Sequence, residues 1–182
     1  GLRIGSLGDL DGHLPFEDGI LDLVGDGLTR LVELGAHVEE TGPGYAPERI
    51  WQSWTDLRSW RVAAKLGAIY DDRDKLKPAA IWEIERGRAL SMAAIEEASA
   101  MRSAWYRGVL RLFERYDYLV APSAQVYPFD VTLDWPKEIA GRTMDTYHRW
   151  METVIGVSLL GLPAVSVPAG FNAEGLPTGF QI

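Results

Sequence analysis

Residues 156–182 read GVSLLGLPAVSVPAGFNAEGLPTGFQI, and the fold class hangs on this run. Gly156–Leu160 has the composition of a helix end, and Gly161-Leu162-Pro163 is a tight turn. A buried strand over Ala164–Val167, a Gly/Asn/Pro-rich loop and the start of a further strand at Thr178–Ile182 follow. Pro163 and Pro168 bracket the first of these strands, where a missing N–H is tolerated. The chain begins without Met and its last residue falls inside a strand pattern, so it is expected to be a piece of a longer protein.

At the other end, Leu2–Leu7 is a short strand pattern, and Gly8–Pro15 a turn with Pro15 suited to the first turn of a helix. Ile20, Val24, Leu28 and Leu31 recur at helical spacing as far as about Leu34, and Gly35 is placed to close that helix in the left-handed conformation. Ala36–Glu40 reads as a second strand. Strand, helix and strand in forty residues form a crossover unit, which implies a parallel pair. Pro47 opens a helix expected to run to about Tyr70, with Asp71–Lys77 a charged loop. Pro78–Tyr116 is helical, with a break expected near Gly87. Leu90, Ala94, Ala98, Met101, Trp105, Val109 and Leu112 form one apolar stripe, and the helix carrying it would be about 40 Å long. Trp51, Trp54, Trp60, Trp82 and Trp105 are expected as core anchors where helices cross.

Asp117–Ser123 is an apolar strand, Gln125–Gly141 an ordered loop carrying Tyr127, Phe129 and Trp135, and Thr143–Val157 a helix capped by Thr143 or Asp145. Connections of this length without secondary structure tend to be functional. With no repeat, low-complexity tract or linker, the whole of residues 1–182 is expected to form one α/β domain, a mixed β-sheet with helices packed on it.

Composition narrows the function. A formal net charge of −8 without any basic run argues against a nucleic-acid surface. The absence of Cys removes disulfides, thiolate metal sites and cysteine nucleophiles from this segment, and is compatible with a reducing compartment. The most apolar stretch, Val154–Phe171, is interrupted by Pro163 and Pro168, so no membrane span is expected and the setting is read as cytoplasmic. His13, His37 and His148 lack helical metal-pair spacing, and no metal site is assigned. Phosphate-loop, dinucleotide and nucleophile-elbow motifs are absent. Ser123 and Ser166 lie at or near strand ends but lack the strained Gly-flanked turn that exposes a reactive hydroxyl, so both read as structural.

The strand Tyr118–Pro122, the aromatic loop with Pro128-Phe129, the segment Tyr147–Trp150 and the closing GLPAVSVPAGFNAEGLPTGFQI together resemble the amidase signature family in kind and order. The opening LRIGSLGDL and LGAHVEE are similar to that family's strand–helix–strand after the catalytic core. The resemblance implies a serine amidohydrolase that uses a nucleophilic Ser, a bridging Ser held through a cis peptide and a Lys that accepts the proton, without metal or organic cofactor. Those groups lie in a Gly/Ser-rich core that this chain, with no Gly-Gly or Ser-Ser pair, does not contain. None of Lys65, Lys75, Lys77 or Lys137 stands in a matching context, so no catalytic residue is assigned and the segment alone is expected to be inactive.

The resemblance further implies that this C-terminal portion walls the acyl pocket for a small-molecule amide substrate, with Gln125, Tyr127, Phe129 and Trp150 as the candidate substrate wall. The same aromatics would also serve simply to pack the loop. Two other functions stay open: an amidotransferase-like protein releasing ammonia from glutamine or asparagine, and a non-catalytic α/β small-ligand module. A severed sheet would expose an apolar edge and could pair with another copy as a homo-oligomer.

Overall fold

The computed structural model describes all of residues 1–182. Strand β1 (Arg3–Ser6) is followed by helix α1 (Ile20–Glu33) and strand β2 (His37–Glu40). Three helices, α2 (Pro47–Leu66), α3 (Pro78–Ala89) and α4 (Met92–Phe113), lead to strand β3 (Tyr118–Pro122). A small hairpin, β4 (Glu138–Ile139) and β5 (Arg142–Thr143), precedes a 3-10 turn at Arg149–Val154 and helix α5 (Ile155–Leu160). Strands β6 (Ser166–Phe171) and β7 (Pro177–Gln181) complete the chain.

Five strands make one mixed sheet in the order β2-β1-β3-β7-β6. β1 runs parallel to β2 and β3, whereas β7 is antiparallel to both β3 and β6. The α/β expectation with a mixed sheet therefore holds. Alternation along β3 divides the core between two faces. Val120 joins Ile4, Val24, Leu28 and Phe180 beneath α1, while Leu119 packs on the opposite side against the cluster of Ile50, Trp105, Val109 and Leu159. The apolar period in α1 is thus the face that covers the sheet. Its end is a Schellman cap: Gly35, at φ 95°, donates to the Val32 carbonyl and Ala36 donates to that of Leu31.

Several boundaries differ from the sequence expectations, each for an identifiable physical reason. Pro15 lies outside α1, because residues 9–17 are held as a loop by Leu14 N–H on the Asp9 carbonyl and by burial of Leu14 and Phe16 against Tyr127. The helical break falls at Leu90–Ser91, with Ser91 accepting from Ala94 N–H as an N-cap, so α4 is about 33 Å long and excludes Leu90. Of the five Trp residues expected as core anchors, Trp105 alone is fully buried; Trp60 and Trp82 are exposed and Trp51 and Trp54 half-buried. The first C-terminal strand begins at Ser166 and has no buried residue, since β6 is a terminal strand of the sheet and Pro168 sits where the register shifts.

The expected helix over Thr143–Val157 is also absent as such. Thr143 belongs to the β4–β5 hairpin, residues 149–154 form a 3-10 turn with a kink at Met151 (φ −115°, ψ 23°), and only Ile155–Leu160 is α-helical. The side-chain bond from Thr153 to the Pro122 carbonyl and the local bonds of Arg149 to Asp145 and Glu152 accompany this kink.

Gly87 marks close helix packing rather than a break. A Cβ there would stand 2.1 Å from the Ser59 carbonyl oxygen and 2.7 Å from the Ala63 methyl, where α3 crosses α2. Gly87→Ala is therefore expected to destabilise by about 1–3 kcal/mol, the usual cost of overpacking. Helix propensity by itself would stabilise the variant by about 1 kcal/mol. Urea denaturation distinguishes the two by sign, and a gain in stability would refute the tight crossing. No helix is long and apolar enough to cross a membrane.

Candidate functional site

The chain's aromatic loop and its C-terminal hairpin meet at a groove of about 480 Å3. Ser123, Tyr127, Phe129 and Trp150 border it on one side, and Ser166 and Thr178 on the other. β3 carries the loop to this point: Ser123 N–H, just beyond the strand, donates to the Gly179 carbonyl at 2.9 Å.

A buried polar stitch holds the wall. Thr153 donates its hydroxyl to the Pro122 carbonyl at 2.8 Å and its N–H to Gln125 Oε1 at 3.1 Å. Gln181 Nε2 donates to the carbonyls of Pro122 and Thr153 at 3.0 and 3.2 Å. Gln125 Nε2 reaches the Pro15 carbonyl at 3.1 Å, and Tyr127 N–H donates to Glu17 Oε2 at 2.7 Å. Each bond joins segments distant in sequence, and several are fully buried, where leaving a partner unpaired is costly. The loop after β3 is thereby tied to the 3-10 turn and to residues 15–17.

On this frame Phe129 and Trp150 meet edge to face, centroids 5.4 Å apart and rings at 89°. Tyr147 stands edge-on to Trp150 at 6.5 Å, and Trp135 edge-on to Tyr147 at 6.5 Å. Phe129 and Tyr147 are each a little over one third exposed, which leaves ring surface available for contact. Behind the aromatics, Arg149 bridges Asp145 and Glu152 and lies 3.6 Å over the Trp51 ring, while Glu152 also meets His13 Nε2 at 2.9 Å. The bond from Arg149 holds the Asp145 carboxyl below the ordinary carboxylate range. Burial pushes the Tyr127 phenol up, with the Glu17 and Asp22 carboxylates acting in the same direction.

Of the four residues singled out from sequence, the fold brings Tyr127, Phe129 and Trp150 to the groove. Gln125 is fully buried with both ends of its amide bonded, so it sits behind the wall and holds it. Tyr127 presents only a small part of its surface and packs mainly on Leu14, Phe16 and Ile20. Tyr147 touches Trp150 but does not itself line the groove. The pairing of Ser123 Oγ and Ser166 Oγ, 2.6 Å apart, was not legible in the sequence, because it depends on strand order. Neither hydroxyl hydrogen-bonds to a Lys or His, so the pair has no bonded base of the kind that activates a nucleophile. No set of three His, Asp or Glu side chains converges as metal ligands.

The family model for Amidase matches residues 57–182, more than half of the sequence. The chain belongs to the amidase family. This amidase-family chain is 27% identical over its whole length to an acylamidase of Rhodococcus erythropolis, covering 38% of that protein. It is 29% identical, again over its whole length, to a subunit of the glutamyl-tRNA(Gln) amidotransferase of Symbiobacterium thermophilum, covering 41% of it. Among solved structures it superposes on a bacterial aryl acylamidase of the amidase signature family with a TM-score of 0.86 and 27% identity, over all of this chain and 39% of that one. The chain thus spans about two fifths of the length of the relatives it matches.

Proposed function

We propose that the whole protein is an amidase-type hydrolase that cleaves carbon–nitrogen amide bonds through an acyl-enzyme on a serine outside these 182 residues. This chain supplies the wall of the substrate groove, with Phe129 and Trp150 as ring contacts, Tyr127 and Gln125 as their support, and no nucleophile of its own. The match over the whole of this chain to part of an acylamidase, together with an aromatic groove at the end of β3, is the observation that supports this reading. The exposed rings favour an amide with an aryl or bulky apolar group over the small polar amide of glutamine, which sets it apart from an amidotransferase role. A cytoplasmic setting is in keeping with a chain that contains no Cys.

The test compares kcat/KM of the whole protein on an anilide and on the matching primary amide. Phe129→Ala is expected to lower kcat/KM for the anilide by about 3–10-fold, the worth of one lost aromatic contact, and to leave the primary amide nearly unchanged. Equal losses on both substrates would remove Phe129 from the wall. Covalent labelling of residues 1–182 alone by a serine-hydrolase probe would overturn the placement of the nucleophile.

A further inference from the structure

A second cavity, of about 780 Å3, opens on the opposite layer between α2, α4 and α5. Its charge runs against that of the molecule. The protein carries a formal net charge of −8, yet the cavity is lined by Arg58, Arg61, Lys65 and Arg102 and by no carboxylate. Arg58 is neutralised by Glu83, which does not line the cavity. Arg61, Lys65 and Arg102 form no ion pair with any Asp or Glu; the one bond of Arg102 goes from Nε to the Leu159 carbonyl, at 2.8 Å.

The placement follows from helix geometry. Arg58, Arg61 and Lys65 are spaced i, i+3, i+7 along α2 and therefore share one face, while Arg102 comes across from α4. Leu57, Leu66 and the ring of Trp60, which is 44% exposed, supply an apolar side to the same cavity. Ser99 and Ser158 add two hydroxyls whose oxygens have no partner in the chain. Three unpaired cations set beside an exposed indole in a space of ordinary ligand size select for one chemistry. Guanidinium and ammonium donors take the oxyanion, and the aromatic and aliphatic wall takes an apolar body.

We infer that this cavity binds a small organic anion, an aryl or alkyl carboxylate, at a site separate from the amide groove. The inference does not depend on the proposed amidase activity, because its readout is binding.

The experiment is calorimetric titration of the whole protein with 4-phenylbutyrate, the neutral 4-phenylbutanol and inorganic phosphate. Phenylbutyrate is expected to bind one to one. The Arg61→Gln/Lys65→Gln variant should weaken it by about tenfold, which corresponds to about 1.4 kcal/mol, and added salt should weaken it in the wild type. Both side chains are exposed and unpaired, so the double variant is expected to keep its thermal midpoint. Phenylbutanol should bind at least about tenfold more weakly than phenylbutyrate. Failure of phenylbutyrate to bind would overturn the proposal, whether the cavity is covered by other parts of the protein or simply unfit. Undiminished binding to the double variant, equal binding of the alcohol, or phosphate binding as tightly as the organic acid would each overturn it too.

Discussion

Trp105→Ala is expected to lower stability by about 3–5 kcal/mol, the range for emptying a large aromatic site in a packed core. Trp105 is 2% exposed and sits on α4 among Ile50, Val109 and Leu159, with Leu119 of the sheet packed on the same cluster. Its indole Nε1 donates to the Gly156 carbonyl at 2.9 Å, tying α4 to the start of α5. The tilted ring of Tyr45 adds a contact at 6.4 Å. Truncation thus removes packing for three elements and leaves a carbonyl without its donor. For a chain of this size the loss is a fall in Tm of roughly 6–20 °C. Trp105→Phe keeps most of the volume and should cost less than the Ala variant, with about 1 kcal/mol of its loss due to the missing hydrogen bond. Urea titrations of both variants check this, and a loss below about 1 kcal/mol for Ala would show that α4 is held elsewhere.

Glu83→Gln is the second large effect, and it carries a pH signature. Glu83 is buried, accepts from Arg58, and meets His148 Nε2 at 3.2 Å. Burial pushes its carboxyl upward, but the bonds from His148 and Arg58 outweigh this and hold it below the ordinary range. In the unfolded chain a Glu titrates near about 4.3, so the stability this pair contributes is fully present above that pH. It is lost as pH falls through the lower folded value. Removing one partner of a fully buried ion pair typically costs about 3–5 kcal/mol. Arg58 is 44% exposed and its share is screened by solvent, and Gln keeps the shape and one acceptor, so the loss at neutral pH should fall below that range. The wild type is then expected to lose its advantage over Glu83→Gln on acidification below about pH 4.3. A stability difference that stays constant through this range would show that the carboxylate's charge is not what holds Arg58 and His148.

How much of this was legible in the sequence depends on the range of the interaction that decides each feature. The β1–α1–β2 unit was legible because Ile20, Val24, Leu28 and Gly35 act within one helix and its cap. The strand Tyr118–Pro122 and the rings of Phe129 and Trp150 were legible as residue types, and the fold brings those rings into contact. The 3-10 turn at Arg149–Val154 was not, since Thr153 answers to Pro122 and Gln125, bonds that no local pattern encodes. Gln125 reads from the sequence as a candidate substrate-wall residue of the loop, whereas its amide is bonded to the Pro15 carbonyl and to Thr153 N–H. The cationic cavity divides the same way. Arg58, Arg61 and Lys65 can be read off one face of α2, but the approach of Arg102 and the exclusion of carboxylates are tertiary facts.

The position of β7 bears on how the molecule is made. Residues 177–181 are the last strand of this chain, yet they lie inside the sheet, between β3 and β6. A ribosome adding about 5–20 residues per second delivers β7 roughly 10–35 s after β1. The helices α2, α3 and α4 are consecutive in sequence and can pack on one another early. From the completion of β3 to that of β7, roughly 3–12 s at the same rate, β3 presents an unpaired edge that Pro177–Gln181 later covers, with Phe180 still missing from the core beneath α1. The nascent chain therefore passes through these seconds with the β3 edge of its sheet open.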